Sequence, residues 1–239
     1  GRAAMLTFID KACVFRCMDK GLHEELGWPQ KDIHLKTWQD MAVYERIRGL
    51  EGKTIGEVGG GNSRILPKLA ARNRCFNIDK FDGTHGGPKG APAHEGVQNR
   101  NTYLGEFSAE LSPGEFDLLF SVSVLEHVPL AQGGPFIEDS LRVLKPGGQA
   151  IHAIDLYVGM VRDPDTTWQK MIDLYRGWLE RPDVVPLAAP TARDAVFHTS
   201  MASNPDQRMW LWNSYAPHLA KVRAERQSVS LLLAFSKAT

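Results

Sequence analysis

Four groups of residues in this chain have the types and spacing to do chemistry. Gly59, Gly60 and Gly61 follow the β-branched, apolar run Lys53–Val58 and precede a segment, 63–72, in which Ile65, Leu66 and Leu69 recur at helical spacing. Glycines in such a turn permit positive φ and let a ligand approach the backbone, while N–H groups at a helix start offer it donors. Glu57 stands two residues before the first glycine, and Asp79 ends a second apolar run, Arg74–Asp79, twenty residues after Gly59. A carboxylate there can accept both hydroxyls of a ribose. His127 follows a third apolar run, and His152 and Asp155 lie at the end of a fourth, where imidazole or carboxylate can exchange protons near neutral pH. These groups describe a nucleotide-type site with candidate bases beside it.

Missing residues narrow the ligand. The dinucleotide pattern G-x-G-x-x-G requires a third glycine where this chain has Arg64, and no G-K-[ST] follows to make a P-loop. Glu57, Gly59 and Gly61 instead form an E-x-G-x-G pattern that resembles the first motif of class I S-adenosylmethionine-dependent methyltransferases. Arg74–Asp79 (RCFNID) resembles that family's second segment. Phe116–Pro129 (FDLLFSVSVLEHVP) resembles its fourth motif, in the L-E-H-V-P version of ubiquinone-type and many small-molecule methyltransferases. Leu141–Ile151 (LRVLKPGGQAI) is similar to the segment after the motifs. The matching segments arrive in the family's order across residues 50 to 156.

The resemblance implies an α/β fold: a Rossmann-like, seven-stranded, mostly parallel sheet with helices on both faces and a helical N-terminal cap. It implies S-adenosylmethionine as cofactor, with Glu57, Gly59, Gly60, Gly61, Asn62, Asp79 and Lys80 holding it. Glu106 and Phe107 fall where the family contacts adenine, although the register leaves Glu106 facing either adenine or solvent. Ser121 and Val122 would meet the methionine end through backbone groups. The implied reaction moves a methyl group to oxygen, or less readily nitrogen or carbon, of a small metabolite or sugar.

His127 is the first candidate base; alternatively Glu126 and His127 only order the helix start that follows. His152 and Asp155 fall on opposite faces if their strand continues through Asp155, and come together if it turns first; a buried hydrogen-bonded pair is the structural alternative. Some relatives hold a divalent metal with an E-x-x-E-H cluster, but Ser123 replaces the first acid here, so no metal is expected. Cys13 and Cys17 share a helix face near His23, a spacing that suits a metal or, more simply, two buried small side chains. Two other classes fit the same residues: a non-methylating enzyme of this fold, and a binding protein that has lost catalysis.

The elements that must position these residues can be read from periodicity. Residues 5–50 carry apolar positions at helical spacing, giving an N-terminal cap (1–50) ahead of a cofactor domain (51–239). Residues 83–96 (GTHGGPKGAPAHEG) hold too much glycine and proline for the helix expected there, leaving a loop or a flap with His85 and His94. Val97–Leu104 reads as the third strand, Thr166–Arg181 and Arg208–Arg226 as helices, 182–205 as irregular, and Val229–Phe235 as a closing strand. Residues 160–226 would cover the acceptor, with Trp168, Trp178, Trp210 and Trp212 as core or pocket wall.

The 239 residues carry 43% hydrophobic and 23% charged side chains, ordinary globular values, and a formal net charge of zero. No basic run offers a phosphate-tracking stripe, which argues against nucleic acid and for a small-molecule acceptor; a D-P-P-Y or N-P-P-Y motif is also lacking. No apolar stretch reaches the roughly 18 residues of a membrane span, so no membrane partner and a cytoplasmic location are expected. A homodimer remains open.

Overall fold

Eight strands form one sheet in the computed structural model, which describes residues 6–9, 11–28, 35–84, 87–158, 167–187, 217 and 227–239. They are β1 (Leu6–Phe8), β2 (Thr54–Val58), β3 (Arg74–Ile78), β4 (Val97–Arg100), β5 (Phe116–Val122), β6 (Leu144–Val158), β7 (Val184–Pro186) and β8 (Gln227–Lys237). Their order across the sheet is β1-β8-β6-β5-β2-β3-β4, with β7 also on β8. Strands β2 to β6 pair in parallel, as their apolar, two-faced burial requires, and β8 runs antiparallel to β6. After β2 the chain builds outward to β3 and β4, then returns to place β5 on the other side of β2. Such a reversal opens a crevice at the carboxyl ends of β2 and β5.

The strand count corrects the expected seven. The outer edge of the eleven-residue β8 is shared: β1 pairs with residues 231–233 and β7 with residues 235–237. Two three-residue segments thus cover one long edge, and Leu6–Phe8 is a strand where a helix was expected. Short strands of this kind leave little unpaired backbone to recruit another chain.

Helices α1 (Lys11–Asp19), α2 (Leu22–Glu25) and α3 (Leu35–Ile47) cover one face with α4 (Leu66–Leu69); α5 (Gly133–Val143) and α6 (Thr167–Leu179) cover the other. Strand alternation divides the core accordingly. Leu118, Phe120, Ile151 and Ala153 face α1 and α3, whereas Phe116, Leu119, Ala150, Ile154 and Leu156 face α5 and α6, joined by Tyr175 and Trp178. Trp178 is therefore core. The helix expected over 63–72 is a single turn, and the third strand ends at Arg100. The helix expected over 208–226, most of the irregular segment, and His85, His198, Trp210 and Trp212 lie outside the described residues. Among the described residues no helix is long and apolar enough to cross a membrane.

Phe116 is fully buried and meets Phe76 edge-to-face, with ring centroids 5.6 Å apart. Phe116→Ala is expected to cost about 3–5 kcal/mol, read as a lower urea midpoint with an unchanged slope.

Candidate active site

The turn after β2 is built on buried polar groups. Glu57 is 5% exposed and accepts a short hydrogen bond from the Ser63 hydroxyl. That hydroxyl oxygen in turn accepts from the backbone N–H groups of Ile65 (3.2 Å) and Leu66 (3.0 Å). Ser63 therefore takes up the first donors of α4, and Pro67 has none to give, so the helix start is not the donor array expected from the sequence. Beneath the turn, fully buried Asn77 donates through Nδ2 to the Gly61 carbonyl (2.8 Å). Gly59 sits at φ 61°, and a Cβ there would lie 2.7 Å from Val124 Cγ2; one on Gly60 would lie 2.5 Å from Asn77 Oδ1. The glycines let the turn close over its own polar floor. Asn62 is exposed at the tip.

Asp79, just past β3, holds the other side of this turn. Its Oδ2 accepts from the Gly61 N–H (3.0 Å) and its Oδ1 from the Phe81 N–H (2.8 Å). Each oxygen keeps lone-pair capacity for a further donor. Lys80 and Glu106 form an exposed ion pair, with Lys80 Nζ 4.7 Å from the Tyr103 ring centroid. That hydrogen bond raises the pKa of Lys80 and lowers that of Glu106. The segment Gly105–Phe107 is held by Asp139 of α5, fully buried, whose Oδ2 accepts from the N–H groups of Gly105 (2.7 Å) and Phe107 (3.0 Å). Arg142 donates to the other Asp139 oxygen at 2.8 Å. Phe107, at φ 52°, leaves its ring 48% exposed.

At the end of β5, residues from α3 reach the site. Lys36 Nζ donates to the Val122 carbonyl (3.1 Å). Gln39, fully buried, donates to Asp155 Oδ1 and to Ser230 Oγ (2.9 Å) and accepts from the Ser123 hydroxyl. Ser123 itself lies at φ 55°, and its N–H bonds the Ala153 carbonyl (2.9 Å). Glu126 and His127 follow in a single 3₁₀ turn, Leu125–His127, with His127 Nε2 3.9 Å from Glu126 Oε1.

The strand continues past Asp155 to Val158, so His152 and Asp155 face opposite sides of the sheet. Fully buried His152 bonds the Ser121 hydroxyl through Nδ1 (2.8 Å) and lies between Phe136 and Phe235. Burial pushes its pKa down to about 3. Asp155 is half-buried and Glu126 mostly so, while His127 is exposed. Away from this crevice, Cys13, Cys17 and Glu45 bring ligand-type atoms within 4.8 Å of one another. Arg16 and Lys20 both bond the Glu45 carboxylate there, and the cluster is an ion-pair network in which two cations already oppose the one carboxylate.

Lys36, Gln39, Asn77 and Asp139 carry no motif signal. Only Asn77 was visible as an anomaly, an amide inside an otherwise apolar strand.

Burial raises the Glu57 pKa from 4.5 to about 8, against the opposing pull of the Ser63 hydroxyl. The folded protein binds this proton more tightly than the unfolded chain does. The contribution to stability is therefore full below pH 4.5 and is lost as the pH climbs through about 8. The isosteric Glu57→Gln has no such proton to lose. Urea unfolding should show wild type falling behind this variant by on the order of a few kcal/mol between about pH 5 and about pH 9.

Comparison with known proteins finds a methyltransferase match over the strands that carry this geometry. Residues 56–152 match the model of a methyltransferase domain. An uncharacterized methyltransferase of Mycobacteroides abscessus is 32% identical over 137 residues, 54% of this chain and 49% of that protein. A ubiquinone biosynthesis O-methyltransferase of Pseudomonas paraeruginosa is 32% identical over 103 residues, 42% of this chain and 44% of that protein. The chain thus spans about half the length of these curated relatives or less. Among solved structures, phosphoethanolamine N-methyltransferase 2 of Haemonchus contortus superposes with a TM-score of 0.55 at 14% identity, covering 84% of this chain and 52% of that one. That likeness is one of fold. Residues 56–152 thus match a methyltransferase domain, in keeping with the class I S-adenosylmethionine-dependent methyltransferases that the sequence motifs resemble.

Proposed function

We propose that this protein transfers a methyl group from S-adenosylmethionine to a heteroatom, oxygen or nitrogen, of a small molecule. One observation carries the reading: the glycine turn, the Asp79 carboxylate and the Val122 carbonyl all lie at the carboxyl ends of β2, β3 and β5, where the strand order reverses. The residues fit the cofactor. The glycine turn, packed onto Val124 and Asn77 where Cβ atoms would clash, is held at the strand ends, and the Asp79 oxygens can accept the two ribose hydroxyls. The Val122 carbonyl already accepts from an ammonium, that of Lys36, and is suited to accept from the ammonium of the cofactor's amino-acid end. We assign Asn62, Lys80, Glu106 and Phe107 to the adenosine side, and Ser121 to supporting Val122 from below.

When bound, the cofactor supplies an electrophilic methyl carbon: the acceptor's lone pair forms the new bond while sulfur keeps the electron pair of the bond that breaks. The protein's own contribution is to hold the acceptor in line, an effect that supplies about 7–11 kcal/mol in well-oriented systems. It must also take a proton from the acceptor. Of the expected bases, His152 is enclosed by aromatic rings and serves to position Ser121. The proton acceptor is therefore placed among Asp155, His127 and Glu126. We place the acceptor cover in residues 160–226 and read residues 1–50 as a cap.

Calorimetry at neutral pH is expected to show binding of S-adenosylmethionine and S-adenosylhomocysteine, and the absence of both would overturn the assignment. Asp79→Ala should weaken S-adenosylhomocysteine binding by ~10- to 100-fold, the worth of a hydrogen bond to a charged group of about 1.5–3 kcal/mol. Unchanged affinity would move the ribose elsewhere.

A further inference from the structure

Glu126 is the one described residue of the crevice whose two side-chain polar atoms both lack a hydrogen-bond partner. Both of its carboxyl oxygens are buried without a hydrogen-bond partner, and its side chain is only 11% exposed. His127 Nε2 is 3.9 Å away, beyond hydrogen-bond reach, and the backbone N–H groups of Glu126 and Asp155 offset the burial only in part. A buried carboxyl left in this state is costly, and a native structure keeps such a group where something else satisfies it. Its place is defined. Val124, two residues earlier, abuts Gly59 of the cofactor turn, and Val122, four residues earlier, offers the carbonyl assigned to the cofactor. Glu126 thus stands on the acceptor side of that end of the site.

We propose that Glu126 anchors the methyl acceptor and that the acceptor is a small-molecule amine, bound as its ammonium against Glu126 with Asp155 as the second acid. This rests on the methyltransferase reading and names its substrate class.

The groups facing Glu126 determine the sign of charge it accepts. Asp155, from β6, adds a second negative charge, and Tyr175, from α6, lies within electrostatic range. Lys36, from α3, is the opposing cation, but its ammonium is engaged at the Val122 carbonyl and it is shared with the acids Glu57 and Asp40. An anionic acceptor would be repelled by this set. A neutral hydroxyl brings one donor and would leave the second Glu126 oxygen unsatisfied, whereas an ammonium brings several N–H donors and a compensating charge.

The same carboxyl suits the proton step. An ammonium cannot attack until it loses a proton; transfer to the Glu126 carboxylate yields the neutral amine and the carboxylic acid, and the freed lone pair forms the bond to the methyl carbon. Burial and Asp155 raise the Glu126 pKa well above the ordinary carboxylate range, which brings it toward that of an amine. His127, exposed and with Nε2 3.9 Å from this carboxyl, is the exit for the proton in this scheme.

The test is calorimetric, with S-adenosylhomocysteine-saturated protein titrated with a library of matched small scaffolds bearing a primary amine, a hydroxyl or a carboxylate. Amines should bind in preference. Because Glu126 must ionise to receive them, binding should release protons, seen as heats that vary with the ionisation enthalpy of the buffer. Glu126→Gln should weaken amine binding ~10- to 100-fold and abolish the proton release while S-adenosylhomocysteine binds as before. Asp155→Asn should weaken amines without abolishing the release. Preference for hydroxyls or carboxylates, no amine bound at the solubility limit, or unchanged amine binding in Glu126→Gln would each overturn the proposal and leave the methyltransferase reading standing. Failure of wild type to bind S-adenosylhomocysteine would remove both.

Discussion

The hydrogen bond from the Ser63 hydroxyl to the buried Glu57 carboxyl is the constraint on which the glycine turn depends. It fixes the path of the chain as it leaves β2, because the same hydroxyl caps the first N–H groups of α4. Asn77 holds the Gly61 carbonyl from the neighbouring strand, and Asp79 holds the Gly61 N–H. A turn gripped at both its N–H and its C=O has little freedom to collapse into the crevice. The grip requires close approach, and the 2.5 Å that a Cβ on Gly60 would leave to Asn77 Oδ1 shows why a side chain is not tolerated. The buried carboxyl that makes this possible is also a standing electrostatic liability, which is why its proton is held so firmly.

A second polar network joins the N-terminal helices to the sheet. Gln39 of α3 ties together Ser123 at the end of β5, Asp155 on β6 and Ser230 on β8, and Lys36 bonds the Val122 carbonyl. Ser123 occupies a left-handed backbone region that costs a non-glycine residue on the order of 1–3 kcal/mol, and its bonds to Gln39 and Ala153 offset that cost. The strained residue re-aims the chain so that Val124 packs on Gly59 while Glu126 turns inward. The N-terminal segment thus reaches the strand ends through the α3 side chains Lys36 and Gln39. On the opposite face, His152 and Ser121 do related work in the core: their mutual hydrogen bond satisfies the Ser121 hydroxyl and His152 Nδ1, while His152 Nε2 has no partner.

Much of this was legible in the chain because it is local. A glycine turn between an apolar run and a helical one, an acid at the end of the next run, and a proline-glycine turn before another are patterns set by backbone sterics and by burial on both faces of parallel strands. The parallel core and the position of Asp79 could be read this way; His152 is buried, but against Ser121 rather than paired with Asp155. Failures were local too. Ser63 competes for the N–H groups that a longer helix would use, and Pro67 removes one, so ten residues with helical periodicity yield a single turn.

Residue types and their order along the chain by themselves determined the apolar parallel strands, the glycine turn and the acids beside it, because each follows from periodicity, from glycine's conformational range and from the placing of carboxylates after apolar strands; the fold class followed from the family that these motifs resemble. Only the tertiary structure decided that Gln39 meets Asp155 across 116 positions and Lys36 meets Val122 across 86. It also decided that two short strands share one edge of β8, that Asp139 holds the backbone at Gly105 and Phe107, and that Glu126 is enclosed without a partner. The reason is that hydrogen bonds between distant segments and the desolvation of a carboxyl depend on which surfaces close upon one another, and no spacing along the chain encodes that.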